Sequence, residues 1–169
     1  MIIPSIDSFI AYVESVRGRT RRVVAAIPPD QVEWTHRPGA FTLGDLVRHI
    51  GATERHMFAE TARGHTSTYP GHGRELADGY DAIIAYLDRT HEEAVAIYRT
   101  LSPEDLASHC TTPAGTSITT WKWLRAMVEH EAHHRGQLYM MLGMRGVKVA
   151  PLYGLTEEEV LARSSSAER

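Results

Sequence analysis

A single cysteine, Cys110, is all that this chain of 169 residues carries. No intrachain disulfide can form, so stability must come from a packed core, and the thiol content fits a reducing compartment. Positive charge is not in excess either: 18 Lys and Arg face 21 Asp and Glu, for a formal charge of -3. The chain therefore lacks the basic footprint that binding to a phosphate backbone requires, and a nucleic-acid partner is not expected. No apolar run approaches the ~18 residues that span a bilayer. The opening Met-Ile-Ile-Pro-Ser-Ile-Asp has no basic segment followed by an apolar core, so no secretory signal is expected. No segment sustains the alternation of a strand. These absences point to a cytoplasmic helical protein with no membrane partner, and 43 % hydrophobic with 23 % charged residues suffices for one core.

What is present repeats at helical spacing. Ile6, Phe9, Ile10, Val13, Val16, Val23, Val24 and Ile27 form a first apolar stripe, which Pro28-Pro29 ends. A turn-rich connection over 28–41 follows, with Trp34 as its expected anchor in the core. The second helix starts after Thr42, an N-cap with Asp45 three positions on, and carries Leu43, Leu46, Val47, Ile50, Met57 and Phe58. Residues 63–74, with Gly64, Pro70, Gly71 and Gly73, read as a long loop. Tyr80, Ile83, Ile84, Leu87, Ala94, Val95 and Tyr98 mark the third helix. Ser102-Pro103 opens a short helical turn, and 111–120 reads as a loop leading into the fourth helix. That helix spans Trp121 to Leu142. Beyond Gly143 and Gly146 the chain is irregular until Thr156-Glu157-Glu158-Glu159, the acidic first turn of a short terminal helix, whose end at Ser164-Ser165-Ser166 is expected to fray. The expected fold is an all-α four-helix bundle over 1–155, antiparallel in its simplest form but with long connections that leave room for a crossover rather than strict up-down topology, and a short helix and tail over 156–169.

The most informative segment lies inside the fourth helix: His130-Glu131-Ala132-His133-His134-Arg135-Gly136-Gln137. His130 and His134 stack one turn apart. On a helical wheel His134 falls near the centre of the apolar stripe and His130 at its edge, while His133 points to solvent. Two neutral imidazoles at that spacing can bind one cation, provided that another element supplies a third ligand. The second helix offers His49, Thr53, His56 and Glu60 along a stripe that flanks its apolar one. His49 is the better candidate because it adjoins Leu46 and Ile50 near the start of the helix, whereas His56 would lie beyond the site or bracket it. Three imidazoles from two helices would leave a coordination position open, as in catalytic sites.

Other readings compete. His91 sits at the centre of the third helix's stripe and is read first as a buried, hydrogen-bonded histidine, with a pocket or ligand role as alternatives. His36, His65, His72 and His109 lie in loops and need no special role, and Cys110 has no base assigned to it. The octapeptide also satisfies His-Glu-x-x-His, in which Glu131 would be the general base and one of Glu157–Glu159 the third ligand. Without a strand to align a peptide substrate, that protease reading is disfavoured, and Glu131 remains a weak catalytic candidate.

Phe41-Thr42-Leu43-Gly44-Asp45-Leu46-Val47-Arg48-His49-Ile50 together with the octapeptide resembles the DinB/YfiT-like superfamily. Trp34 with Pro38-Gly39, and the ending Pro151-Leu152-Tyr153-Gly154-Leu155-Thr156, extend the resemblance over nearly the whole chain. It implies a four-helix bundle holding a divalent metal, zinc or nickel most commonly, through one histidine of helix two and two of the last long helix. Matched by motif these are His49, His130 and His134, while His133 falls where the family often has a histidine that is not a ligand. For activity the resemblance implies a metal-dependent enzyme. The first expectation is a thiol-dependent S-transferase acting on a small electrophile, with a low-molecular-weight thiol such as bacillithiol or mycothiol as cosubstrate. A hydrolase using metal-activated water is the alternative, and a non-enzymatic metal-binding bundle the third. A small-molecule substrate is the expected partner, with a homodimer as the candidate assembly. If the three histidines keep ordinary basicity, metal should leave as pH falls through about 6.5.

Overall fold

The computed structural model describes residue 3 and residues 5–166. Met1, Ile2 and Pro4, which belong to the N-terminal stretch read above, and the last residues 167–169 lie outside the described residues. Helix α1 spans Ile6–Val24, capped by the Ser5 side chain, which accepts from Ser8 N–H. After a 3-10 turn at Pro29–Gln31 comes α2, one rod in three stretches: α-helical Leu43–Thr53, a π-helical turn Glu54–Ala59, and a last turn Glu60–Ala62. Helix α3 spans Tyr80–Tyr98, the short α4 Pro103–Ala107, α5 Thr120–Met144 and α6 Glu157–Ser166. No helix among the described residues is long and apolar enough to cross a membrane.

Both expected N-caps are made. Thr42 and Asp45 bond each other's backbone N–H at 2.9 Å in each direction, and Ser102 and Asp105 repeat the pattern at the start of α4. The segment 111–120 corrects the reading of a plain loop. His109–Thr111 and Ser117–Thr119 form a two-stranded antiparallel hairpin, β1 and β2, with Cys110 opposite Ile118. Strands of three residues are too short for alternation to show in the sequence. Ser164 and Ser165 lie within α6, where their hydroxyls donate to Val160 O and Leu161 O.

The long connections set the topology. α2 packs against α3 and α5, while α1 packs against α5 and α3. Two apolar clusters occupy the two ends of the bundle. One gathers Val23 and Val24 of α1 and Ile27 just beyond it with Leu43–Ala52 of α2, Ile83 and Leu87 of α3, and Leu138–Leu142 of α5. The other gathers Phe9–Val16, Phe58–Ala62, Ala94–Tyr98 and Leu124–Val128. α1 therefore runs parallel to α5 and α2 parallel to α3, the two pairs running in opposite directions. The order is up-down-down-up, the crossover that the long connections left room for, rather than strict alternation. For α3 to run parallel to α2, the chain must return along the bundle after Ala62, and this is the physical reason for the long loop over 63–79. Close approach of α2 and α3 relies on Gly51, where a Cβ would come within 2.6 Å of Thr90 Oγ1.

Candidate metal centre

Between the apolar ends the four long helices meet in a polar belt. Arg17 of α1, 1 % exposed, donates to Glu54 Oε2 at 2.5 Å and to Glu131 Oε2 at 3.0 Å. Thr20 donates to Glu131 Oε1 at 2.6 Å. His91 of α3 places Nδ1 2.9 Å from Glu54 Oε1, and its Nε2 lies 3.3 Å from Glu14 Oε2. Burial works against a charged His91 ring, but the hydrogen bond and charge of Glu54 outweigh it, so its pKa is raised. His91 is thus the buried hydrogen-bonded histidine of the first reading. Glu131, the weak catalytic candidate, is buried in this belt, with Thr20 and Arg17 each bonded to one of its oxygens.

On the groove between α2 and α5, at the level of this belt, stand His49, His130 and His134. His130 Nε2 lies 3.1 Å from His49 Nε2 and 3.1 Å from His134 Nε2. One ring nitrogen from each residue falls within 4.8 Å of the others, and no carboxylate or thiol joins the group among the described residues. His134 is buried, His49 and His130 half-buried, and His133 exposed, as the wheel requires. Glu157–Glu159 are exposed on α6 and do not join the group. His56 does not join it either. It lies on the π-helical turn, which breaks the phase of the expected stripe, and within that stripe Thr53 instead donates to His49 O at 2.7 Å while Arg55 and Arg63 hold Glu60.

The electrostatics suit a cation. Burial is the first cause that holds His49 down to about 3, followed by the charges that His134, His130 and His72 would carry. Burial and the neighbouring His134 and His133 hold His130 at about 4, and His134 is lowered as well, although its bond to Gln137 opposes the shift. Neutral rings with converging nitrogens are the form in which histidine binds metal. A set of three neutral imidazoles is one that a borderline divalent ion accepts.

Several surrounding residues were not legible in the sequence. Tyr69 Oη lies 2.7 Å from His49 Nδ1 and 3.2 Å from His72 Nδ1. Gln137 Oε1 lies 2.7 Å from His134 Nδ1. Phe41 packs on His72 with ring centroids 4.3 Å apart and also contacts His49, while Phe58 contacts His130. Gln137 could have been found, being three residues from His134 on the same helix face. Tyr69 and His72 could not, since only the return of the loop brings them to α2. His72 is therefore corrected from a loop residue without a role to a neighbour of the site.

Comparison with known proteins agrees with this fold. The DinB superfamily model matches residues 12–138. The protein YjoA of Bacillus subtilis, itself uncharacterised, is 26 % identical over 151 residues, covering 87 % of this chain and 95 % of its own. Among solved structures, a DinB-like protein of Bacillus cereus aligns at a TM-score of 0.72 with 18 % identity, over 87 % of this chain and 97 % of that one. YfiT of Bacillus subtilis, a probable metal-dependent hydrolase with an unusual four-helix bundle topology, aligns at 0.68 with 18 % identity over 88 % and 91 %. A match spanning most of the helical core places this chain in the DinB superfamily, as a four-helix bundle with a three-histidine group able to hold a metal ion.

Proposed function

We propose that this protein is a divalent-metal-dependent enzyme in which His49, His130 and His134 hold zinc or nickel through Nε2 and a low-molecular-weight thiol is transferred to a small electrophile. The observation that carries the metal reading is the convergence of three Nε2 atoms on rings of depressed basicity, with no carboxylate in the group. A divalent ion bound there would act as a Lewis acid that makes a nucleophile available at neutral pH. The chain's own contribution is to keep three neutral donors aimed at one point, to wall the group with Phe41 and Phe58, and to withhold Glu131 from it.

That withdrawal favours a thiol. A thiol, with an ordinary pKa of about 8.5, needs little help to lose its proton, whereas water starts near 15.7 and gains more from a carboxylate base. Hydrolysis is the second reading, favoured by the likeness to YfiT. Turnover of a panel of electrophiles and esters, with and without small thiols, separates them. Transfer predicts metal-dependent consumption of thiol together with electrophile. Ester turnover that thiols inhibit would overturn transfer in favour of hydrolysis.

A further inference from the structure

The loop over 63–79 is held to α2 at two points on either side of Tyr69. Thr68 N–H donates to His56 O at 2.8 Å, with the Ser67 hydroxyl on the same carbonyl at 3.3 Å. This carbonyl lies in the π-helical turn, where the ordinary ladder of helix bonds is interrupted. On the other side Arg48 Nε donates to His72 O at 2.8 Å. Arg48 is fully buried and tied to Glu33, Asp45 and Ala77 O, so this anchor is rigid. Tyr69 is thereby carried to His49 by backbone anchors that its own side chain does not make.

With the Gln137 amide oxygen toward His134, the hydrogen bonds around the neutral histidines permit one arrangement of protons; with its NH2 there instead, every donor and acceptor along the chain would reverse. Gln137 Oε1 only accepts, so His134 Nδ1 carries the proton and its Nε2 keeps a lone pair. His130 Nε2 lies at hydrogen-bond distance from that lone pair and must be the donor. The same N–H faces His49 Nε2 at 3.1 Å, which must also be a lone pair, since two N–H groups would clash head to head. His49 therefore carries its proton on Nδ1 and donates to Tyr69 Oη, and the Tyr69 hydroxyl proton goes to the remaining neighbour, His72 Nδ1. His130 Nδ1 has no hydrogen-bond partner among the described residues and is free to accept a proton.

We propose that Tyr69, His72 and Gln137 are positioning residues that preset His49 and His134 with their Nε2 lone pairs aimed into the group. His130 is then the one member that must move its proton, from Nε2 to Nδ1, when a cation enters. The inference rests on the metal reading above for its purpose, but not for the proton pattern, which belongs to the metal-free protein. His72 works through Tyr69: by taking the hydroxyl proton it keeps the Tyr69 oxygen an acceptor for His49. Partners of this kind fix ring orientation and tautomer in metal sites, and their loss weakens binding about 10–100-fold.

Nitrogen-15 NMR of the histidine side chains at pH 8, recorded metal-free and with zinc, reads the tautomers directly. Expected are Nδ1–H for His49 and His134 in both states, and Nε2–H changing to Nδ1–H for His130. Tyr69→Phe, at a partly exposed position that carries no fold, should mix the His49 tautomers in the metal-free protein and weaken zinc about 10–100-fold by chelator competition. His72→Ala should mix them to a smaller extent, and His72→Asn, whose Oδ1 accepts, should restore the pattern. Nε2–H on His49 in the metal-free wild type overturns the proposal, as does an unchanged tautomer with unchanged zinc affinity in Tyr69→Phe. If the wild type shows the drawn pattern and Tyr69→Phe disrupts it, yet no divalent ion binds, the metal reading falls and the positioning stands.

Discussion

His91 and the His49–His130–His134 group lie at one level of the same bundle and are chemically opposite. His91 is the more completely enclosed by charged partners, and Glu54 beside it raises its pKa. The other three are less buried, yet His49 and His130 are pushed down to about 3 and 4. Burial opposes the charged ring in both places, so what differs is the neighbours: carboxylates at one site, other imidazoles at the other. Adjacent residues divide between the two. His130 turns into the groove while Glu131 turns into the belt and bonds Arg17 and Thr20. One helix thus separates a closed ion-pair network from a set of donors without a counter-charge, and only the latter is a place for a cation.

The comparison breaks most severely if the belt loses its single shared cation. Arg17→Ala would take from Glu54 and Glu131 the guanidinium they share, leaving Glu54 with His91 and Glu131 with the Thr20 hydroxyl, and breaking a buried pair from one side costs about 3–5 kcal/mol. Urea unfolding of the variant checks this, and a loss below about 1 kcal/mol would mean the belt is not the closed network it resembles. The next effect belongs to the metal. At free metal a hundredfold above the dissociation constant, binding stabilises the fold by about 2.7 kcal/mol, or roughly 5–11 °C in Tm for a chain of this size. Chelator should remove that gain, and His49→Ala, His130→Ala and His134→Ala should never show it.

The pH dependence sharpens the contrast and corrects the expectation drawn from ordinary histidines. Protons compete with metal at the folded values of about 3 and 4, not near 6.5, so the effect of chelator on Tm should persist at pH 5. Its disappearance by pH 5 would mean rings of ordinary basicity. In the metal-free protein the same lowered values mean that the unfolded chain binds more protons below about 6.5, so these histidines subtract stability as pH falls from there toward 4 and 3. His91 has the opposite sign. Its raised folded pKa adds stability that is fully present below the unfolded value near 6.5 and is lost as pH rises through the folded one. His91→Gln should therefore cost more at pH 5.5 than at pH 9 in urea titrations of the metal-free protein. An equal cost at both would show that the ring is neutral in the fold.

Much of this was legible because helix periodicity is local. The stripes gave the four long helices and the directions of His130, His133 and His134, and Thr42 and Asp45 announced the start of α2. Pairing of distant elements was not legible. Nothing local states that α2 runs parallel to α3, and so nothing indicated that the loop after Ala62 would pass His49 and leave Tyr69 beside it. The partners of Glu131 were hidden for the same reason: its motif describes spacing along one helix, whereas Arg17 and Thr20 lie more than a hundred residues away in sequence. The π-helical turn at Glu54–Ala59 escaped because its bonds replace α-helical ones without any change in residue type.

The smallest effect concerns the histidine that both sequence and structure keep outside the group. His133 is exposed, and its ring lies 4.8 Å from that of His134, so it touches the site without facing into it. A proton on His133 would repel protons on His130 and His134, which slightly favours the neutral rings. His133→Ala should accordingly leave metal stoichiometry unchanged and alter stability by no more than about 0.5 kcal/mol, as for a surface substitution away from any cap or core contact. Elemental analysis and urea unfolding at pH 7.5 test both halves. Loss of bound metal in this variant would show that His133 reaches the ion, and the three-histidine group would then be the wrong description of the centre.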